Sequence, residues 1–250
     1  MTKMTSCSLF LASLALPLSL ALAACGSSDT ESALPVSEPI AAIPAPEGQS
    51  WTEVNAVSPE GGYVQGNPDA PVKLVEYASH TCSHCAVFSQ ESSEGLEKMV
   101  QSGVVSYEIR NQVHEALDLT LAMLMRCSGP DAFHPLAEQV WSNLGPIITG
   151  AQANQAQLQA AMQTQGDDRF VKIAEAAGLL DFFGARGISR DKAVQCLSDP
   201  DEAAQIIDRS TTQSDELGVT GTPTFFLNGK RIDGSTWDVV EAALQQAGAR

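Results

Sequence analysis

Between Pro71 and Arg110 the hydrophobic pattern of the chain changes period twice, and two cysteines sit at the first change. "PVKLVEY" puts Val72 and Leu74 on one face and Val75 and Tyr77 on the other, as a strand buried on both faces does. After Cys82 the apolar positions Ala86, Leu96, Met99 and Val100 follow a helical spacing that stops at Gly103. "VVSYEIR" then returns to alternation through Val105, Tyr107 and Ile109. The spacing predicts a β-α-β unit. A right-handed crossover makes its two strands parallel and leaves Cys82 and Cys85 where the first strand meets the helix.

That position bears on what the pair can do. A Cys-x-x-Cys pair can hold zinc, close a small structural loop or exchange disulfides. Zinc needs four ligands, usually two such pairs. His80 or His84 could join Cys82 and Cys85, but Cys127 and Cys196 stand alone in the sequence. A purely structural bond across so short a loop contributes little entropy. A cysteine in the first turn of a helix meets unpaired N–H groups and the positive end of the helix dipole, and both favour its thiolate. Cys82 is so placed, and Cys85 one turn later points inward, ready to attack a mixed disulfide formed at Cys82. An imidazole at His84 adds charge and hydrogen bonding to the thiolate, which makes the disulfide more oxidising. The residues therefore favour redox chemistry, with no metal and no organic cofactor.

Downstream, Leu117, Leu121, Leu124 and Met125 begin a helical region. Leu136, Val140 and Trp141 continue it, as do "QANQAQLQAAMQTQ" and "RFVKIAEAAGLLDFF". Ser189 and Ser198 read as N-caps, the second with Pro200 in its first turn, and about five helices are expected in all. "TPTFFLNGKRI" reads as two short strands joined by Asn228-Gly229, and a helix from Thr236 to Ala247 closes the chain.

Upstream, the apolar run Leu9 to Ala24 contains Pro17 and is too short for a convincing spanning helix, so it reads as a secretory signal, residues 1–24. Its end, "LAAC", resembles the lipobox of bacterial lipoproteins, which implies lipidation at Cys25 and an anchor in the cell envelope. Gly26 and Ser27 follow with no adjacent Asp, which in such lipoproteins favours the outer membrane over the inner. Residues 25–60 hold Pro35, Pro39, Pro44 and Pro46 and read as a disordered tether, whose stretch from Gly26 to Ser50 alone reaches on the order of 70 Å at roughly 3 Å per residue. The folded domain is expected over 61–250. The net charge of −16 and the absence of a basic patch exclude a nucleic-acid partner held by phosphate attraction.

"VEYASHTCSHC" together with "GVTGTPTFFLNGK" resembles the DsbA-like branch of the thioredoxin superfamily, over roughly residues 61–248. The resemblance implies an α/β thioredoxin fold. A helical insertion at about 115–216 would lie between the βαβ unit and a C-terminal β-hairpin plus helix. It implies a cis peptide at Pro223, a Thr222 backbone that pairs with substrate peptide, and a buried acid at Glu76 below the redox pair. Glu76 shares a face with Val72 and Leu74, so burial would raise its pKa. The dipeptide between the cysteines is Ser83-His84, where the best-known oxidase of the branch has Pro-His.

The implied activity is thiol–disulfide exchange on exported proteins with cysteines, most simply as an oxidase reset by a membrane redox partner. Isomerase or reductase action on the same fold, or a non-catalytic peptide-binding domain, are the alternatives. The tether is too short for the dimerisation domain of the family's isomerases, which points to a monomer. In an oxidising compartment Cys127 and Cys196 are candidates for a structural disulfide. His80 is expected to be solvated beside the pair, and His114 and His134 are given no role.

Overall fold

In the computed structural model, which describes residues 37–250, the two strands flanking the cysteine helix pair in parallel. Six strands form one sheet: β1 (Asn55–Val57), β2 (Tyr63–Gly66), β3 (Val72–Ala78), β4 (Val105–Asn111), β5 (Thr224–Leu227) and β6 (Lys230–Arg231). Their spatial order is β1-β2-β4-β3-β5-β6, and β3–β4 is the parallel pair. Helix α1 (Ser83–Gln101) makes the crossover between them. The register pairs Leu74 with Tyr107 and Glu76 with Ile109, while β5 sets Phe225 beside Glu76. Paired residues share a face, so these side chains form the floor on which α1 packs. Cys85, Phe88, Ser92, Leu96, Met99 and Val100 are the buried positions of α1, a stripe at helical spacing. On the other face Tyr77 and Phe226 pack with Val219, and the Tyr77 hydroxyl donates to Gln213 at 3.1 Å.

Asn228 and Gly229 adopt φ of +48° and +77°, the left-handed pair that a two-residue hairpin needs. Asn228 also accepts the Lys73 amide at 2.8 Å, which pins the β5–β6 hairpin to the start of β3.

The helical insertion is richer than the periodicity suggests. Among the described residues eight helices lie between β4 and β5, where about five are expected from sequence: α2 (Ala116–Arg126), α3 (Pro130–Ser142), α4 (Leu144–Ala153), α5 (Gln155–Gln163), α6 (Arg169–Ala176), α7 (Leu179–Gly184), α8 (Arg190–Leu197) and α9 (Pro200–Leu217). Gly178, at φ +71°, divides "RFVKIAEAAGLLDFF" into α6 and α7. Ser189 caps α8 through the Lys192 amide. The cap of α9 is Asp199 rather than Ser198, because Ser198 closes α8 and the Asp199 carboxylate takes the amides of Asp201 and Glu202. Residues Leu117 to Met125 of α2 are all buried, since other helices surround it. The closing helix α10 is Trp237–Gln246.

The tether expected over residues 25–60 needs correction at its C-terminal part. From Ser37 onward the chain is laid against the domain. Ser37 and Ile40 donate backbone hydrogen bonds to Gln246 and Gly248, and Ile43 donates to Ser102. Trp51 is buried and its indole N–H donates to the Ile43 carbonyl at 2.7 Å. A Cβ at Gly103 would fall 2.5 Å from that same carbonyl oxygen, so the turn after α1 requires glycine for the segment to dock. Apolar anchors spaced among the prolines supply the contacts, and the folded body starts well before residue 61. The signal segment and Cys25 lie outside the described residues, and among those described no helix is long and apolar enough to cross a membrane.

Candidate active site

β3 leads into the short loop Ser79–Thr81, and Cys82 is the N-cap of α1, with extended backbone at φ −82° and ψ 120°. Both Cys82 and Cys85 are free thiols. Cys82 is half-buried, and its sulfur lies 3.3 Å from the carbonyl oxygen of Thr222, to which the thiol donates. Its pKa is lowered to about 5. The thiol of Cys85 is the largest cause; burial opposes it, and Thr222 and the backbone amides of Cys85 and His84 add to it. The ring of His84 is exposed, and its backbone amide is the smallest of these contributions to the thiolate.

Cys85 is fully buried. Burial pushes its thiol far above the ordinary range, and the hydrogen bond to Cys82 and the charge of Glu76 push the same way. The two sulfurs, three residues apart, are therefore driven in opposite directions, Cys82 down by hydrogen bonds of which that from the Cys85 thiol is the largest, and Cys85 up by the apolar core.

Glu76 is also fully buried, between Ile109 and Phe225 in the sheet. Its pKa is raised to about 8 by burial, with the Tyr107 hydroxyl lowering it and the charge of Cys82 raising it. Tyr107 donates its hydroxyl to Glu76 Oε2, and Oε1 has no hydrogen-bond partner among the described residues.

Across the site the Thr222–Pro223 peptide is cis, and Pro223 is buried at the start of β5. A cleft of about 300 Å³ runs beside it, lined by Thr222, Pro223, Thr224, Arg231, Ile232 and Asp233.

Three residues absent from the sequence-based list complete the surroundings. His114 places Nε2 3.2 Å from the Thr222 hydroxyl. Asp118 accepts the amides of His80 at 2.8 Å and His114 at 3.0 Å, which ties both rims of the site to α2. Tyr107 is the partner of Glu76. A signal for Asp118 is present in the sequence: it is the one acid inside a helix whose other residues are apolar except Thr120 and the terminal Arg126. His80, expected in solvent, is fully buried and stacked on Trp141 at 5.1 Å, and burial lowers its pKa to about 3. Its neutral ring is a packing element behind the Cys82 loop.

Cys127 and Cys196 are bonded at a Cα separation of 5.8 Å, which joins the end of α2 to the end of α8 away from the redox pair. Among the described residues no group of three or more His, Cys, Asp or Glu side chains gathers as a metal would need.

A sequence model of the thioredoxin family matches residues 58–246. A crystal structure from Novosphingobium aromaticivorans, titled a protein-disulfide isomerase, is 31% identical with a TM-score of 0.68, covering 72% of this chain and 94% of that one. Wolbachia pipientis alpha-DsbA1 is 19% identical with a TM-score of 0.60, covering 75% of this chain and 90% of its own, a likeness of fold. A Rickettsia prowazekii protein with the provisional name protein-disulfide oxidoreductase is 26% identical over 78% of this chain. The chain spans 65% of the length of that relative.

Proposed function

The chain belongs to the thioredoxin family, and we propose that it exchanges disulfides with the cysteines of exported proteins, acting in the oxidising direction. The observation that carries this is the polarised pair: an accessible Cys82 with its pKa held near 5, above a buried Cys85 whose thiol resists ionisation. In the oxidised form a substrate thiolate attacks Cys82 Sγ. The Cys82–Cys85 bond breaks, its electron pair goes to Cys85, and Cys85 takes a proton. A second substrate thiolate then attacks the substrate sulfur of the mixed disulfide and expels Cys82 as a thiolate. A thiol of low pKa is a good leaving group, and a stabilised thiolate favours the reduced enzyme, so the pair gives its disulfide away readily. The Thr222 backbone beside Pro223 offers an edge to which an extended substrate can add as a strand.

The relative from Novosphingobium is titled an isomerase at 31% identity, and this supports isomerisation as a second reading. Cys82 attack on a non-native disulfide, with release by a second substrate thiol, uses the same atoms. The reduction potential of the pair, equilibrated with glutathione in the full chain, separates the directions. A value near about −120 mV is expected for the oxidase, and a value near about −270 mV overturns it in favour of a reductant.

The readings of residues 1–25 as signal and lipidation site support an envelope protein anchored by lipid at Cys25, Gly26 and Ser27 favour the outer membrane, the short tether supports a monomer, and a disulfide donor needs a membrane redox partner to reset it. Replacement Cys25→Ala is expected to move the protein from the membrane to the soluble fraction. Retention in the membrane overturns the anchor.

A further inference from the structure

Glu76 is sealed from solvent, and the buried residue that hydrogen-bonds it lines a cavity. Tyr107 stands on the neighbouring strand, two residues before the partner of Glu76 and so on the same face of the sheet. Its hydroxyl meets Glu76 Oε2, while the residue also lines a cavity of about 290 Å³ between α1 and α3. The cavity far exceeds the roughly 15 Å³ that one water requires. Its walls are polar where a water chain would need partners: Gln65 from β2, Ser92 and Glu97 from α1, His134 and Glu138 from α3. Glu97 and Glu138 are exposed, so the cavity mouth reaches solvent. His134 turns Nε2 to the Tyr63 carbonyl at 2.9 Å, and its ring centroid lies 5.3 Å from that of Tyr107.

We propose that Tyr107 is the proton conduit between Glu76 and this cavity, and so a positioning residue for the step that protonates or deprotonates Cys85. The inference rests on the disulfide-exchange reading above. When substrate sulfur bonds to Cys82, the Cys82–Cys85 electron pair moves to Cys85. Cys85 then takes the proton of the Glu76 carboxyl. Glu76 takes the Tyr107 hydroxyl proton through Oε2, and Tyr107 takes one from cavity water, which is replenished from bulk. No charge remains buried at the end, and no other reactant is needed. Oε1 has no partner among the described residues, so it is the oxygen free to face the sulfur. The titratable groups around the relay are Cys82 and Cys85 on the Glu76 side, and Glu97, the neutral His134 and Glu138 on the cavity side.

The test is single-turnover reduction of the oxidised full chain by a small dithiol, across pH, for wild type, Tyr107→Phe, Glu76→Gln and the double variant. A relay predicts that Tyr107→Phe slows the step about tenfold in the wild-type background, the kinetic equivalent of one lost hydrogen bond, and has no effect in the Glu76→Gln background. Equal losses in both backgrounds, or none in either, overturn the relay and leave Tyr107 a structural contact. A second measurement needs no variant: the wild-type step must run slower in heavy water, and equal rates in the two solvents overturn the proposal. If the wild-type pair does not exchange with glutathione at all, the disulfide-exchange reading fails, which is a different result from either.

Discussion

Asp118 Oδ1 accepts the backbone amide of His80 at 2.8 Å, so a helix of the insertion holds the loop that delivers Cys82. The other oxygen of the same carboxylate accepts the amide of His114 at 3.0 Å, and the His114 ring reaches the hydroxyl of Thr222. One buried acid thus sets the spacing between the loop of the attacking sulfur and the cis-proline loop. The insertion is part of the site's construction rather than an appendage to a thioredoxin core.

Replacing Asp118 with Ala leaves two inward-facing amides without acceptors. The expected cost is about 2–6 kcal/mol, at roughly 1–3 for each of the two orphaned groups. Urea unfolding of wild type and variant measures it. Exchange with a cysteine peptide should fall more than exchange with glutathione, because the peptide uses both rims of the groove and the small thiol uses only Cys82. Equal losses with the two thiols would place the effect on Cys82 alone.

Glu76 gives a pH dependence of opposite sign to the usual carboxylate. Burial raises its pKa from 4.5 to about 8. The folded state therefore holds the proton more tightly than the unfolded state does. This contribution is fully favourable below about pH 4.5 and is lost as pH rises through about 8. Gln at this position does not ionise and still offers Tyr107 an acceptor. Glu76→Gln should match wild type at pH 4 and be more stable at pH 7 by up to about 3 kcal/mol, while exchange at neutral pH slows. Unfolding of the reduced proteins at the two pH values checks it. Parallel stability curves would mean that Glu76 is ionised in the fold.

The parts of this architecture visible in the sequence are those encoded locally. The switch from strand to helical period at Cys82, the Asn228-Gly229 turn and the Thr222-Pro223 step each depend on neighbours within a few residues. The missed parts depend on partners far away. β1 and β2 have only three and four residues and take their identity from pairing with β4 and with each other. Ile43 and Trp51 were hidden by the prolines around them, and their docking depends on the bare backbone at Gly103. The burial of Glu76 was readable from its face, but its partner Tyr107 lies 31 residues away on another strand. His80 looked like a loop histidine because nothing local announces Trp141 stacked against it.

The Cys127–Cys196 bond closes a loop of 69 residues, remote from the redox pair. Loop-closure entropy assigns such a bond about 4 kcal/mol. The double replacement Cys127→Ser with Cys196→Ser should lower urea stability by that order and leave the reduction potential of Cys82–Cys85 unchanged. A shift in potential would show that α2 and α8 transmit strain to the site.

The low pKa of Cys82 owes most to Cys85, whose thiol donates to it, and less to Thr222 and the amides at the start of α1. Removing that donor by Cys85→Ala should therefore raise the pKa of Cys82 from about 5 toward its ordinary value, although the helix end is intact. Thiolate absorbance against pH measures both. The same variant should accumulate a mixed disulfide with substrate, since the internal resolving thiol is gone. In wild type, a depressed thiol pKa gives the reduced fold stability that is complete above about pH 9 and is lost as pH falls through about 5. The oxidised fold has no thiolate to protect. The stability advantage of reduced over oxidised protein should consequently shrink from pH 9 to pH 5, and the pair should become a weaker oxidant relative to a thiol couple of ordinary pKa. If Cys85→Ala leaves the Cys82 midpoint near 5, the helix end alone holds the thiolate, and the polarisation of one sulfur by the other is not what sets the chemistry.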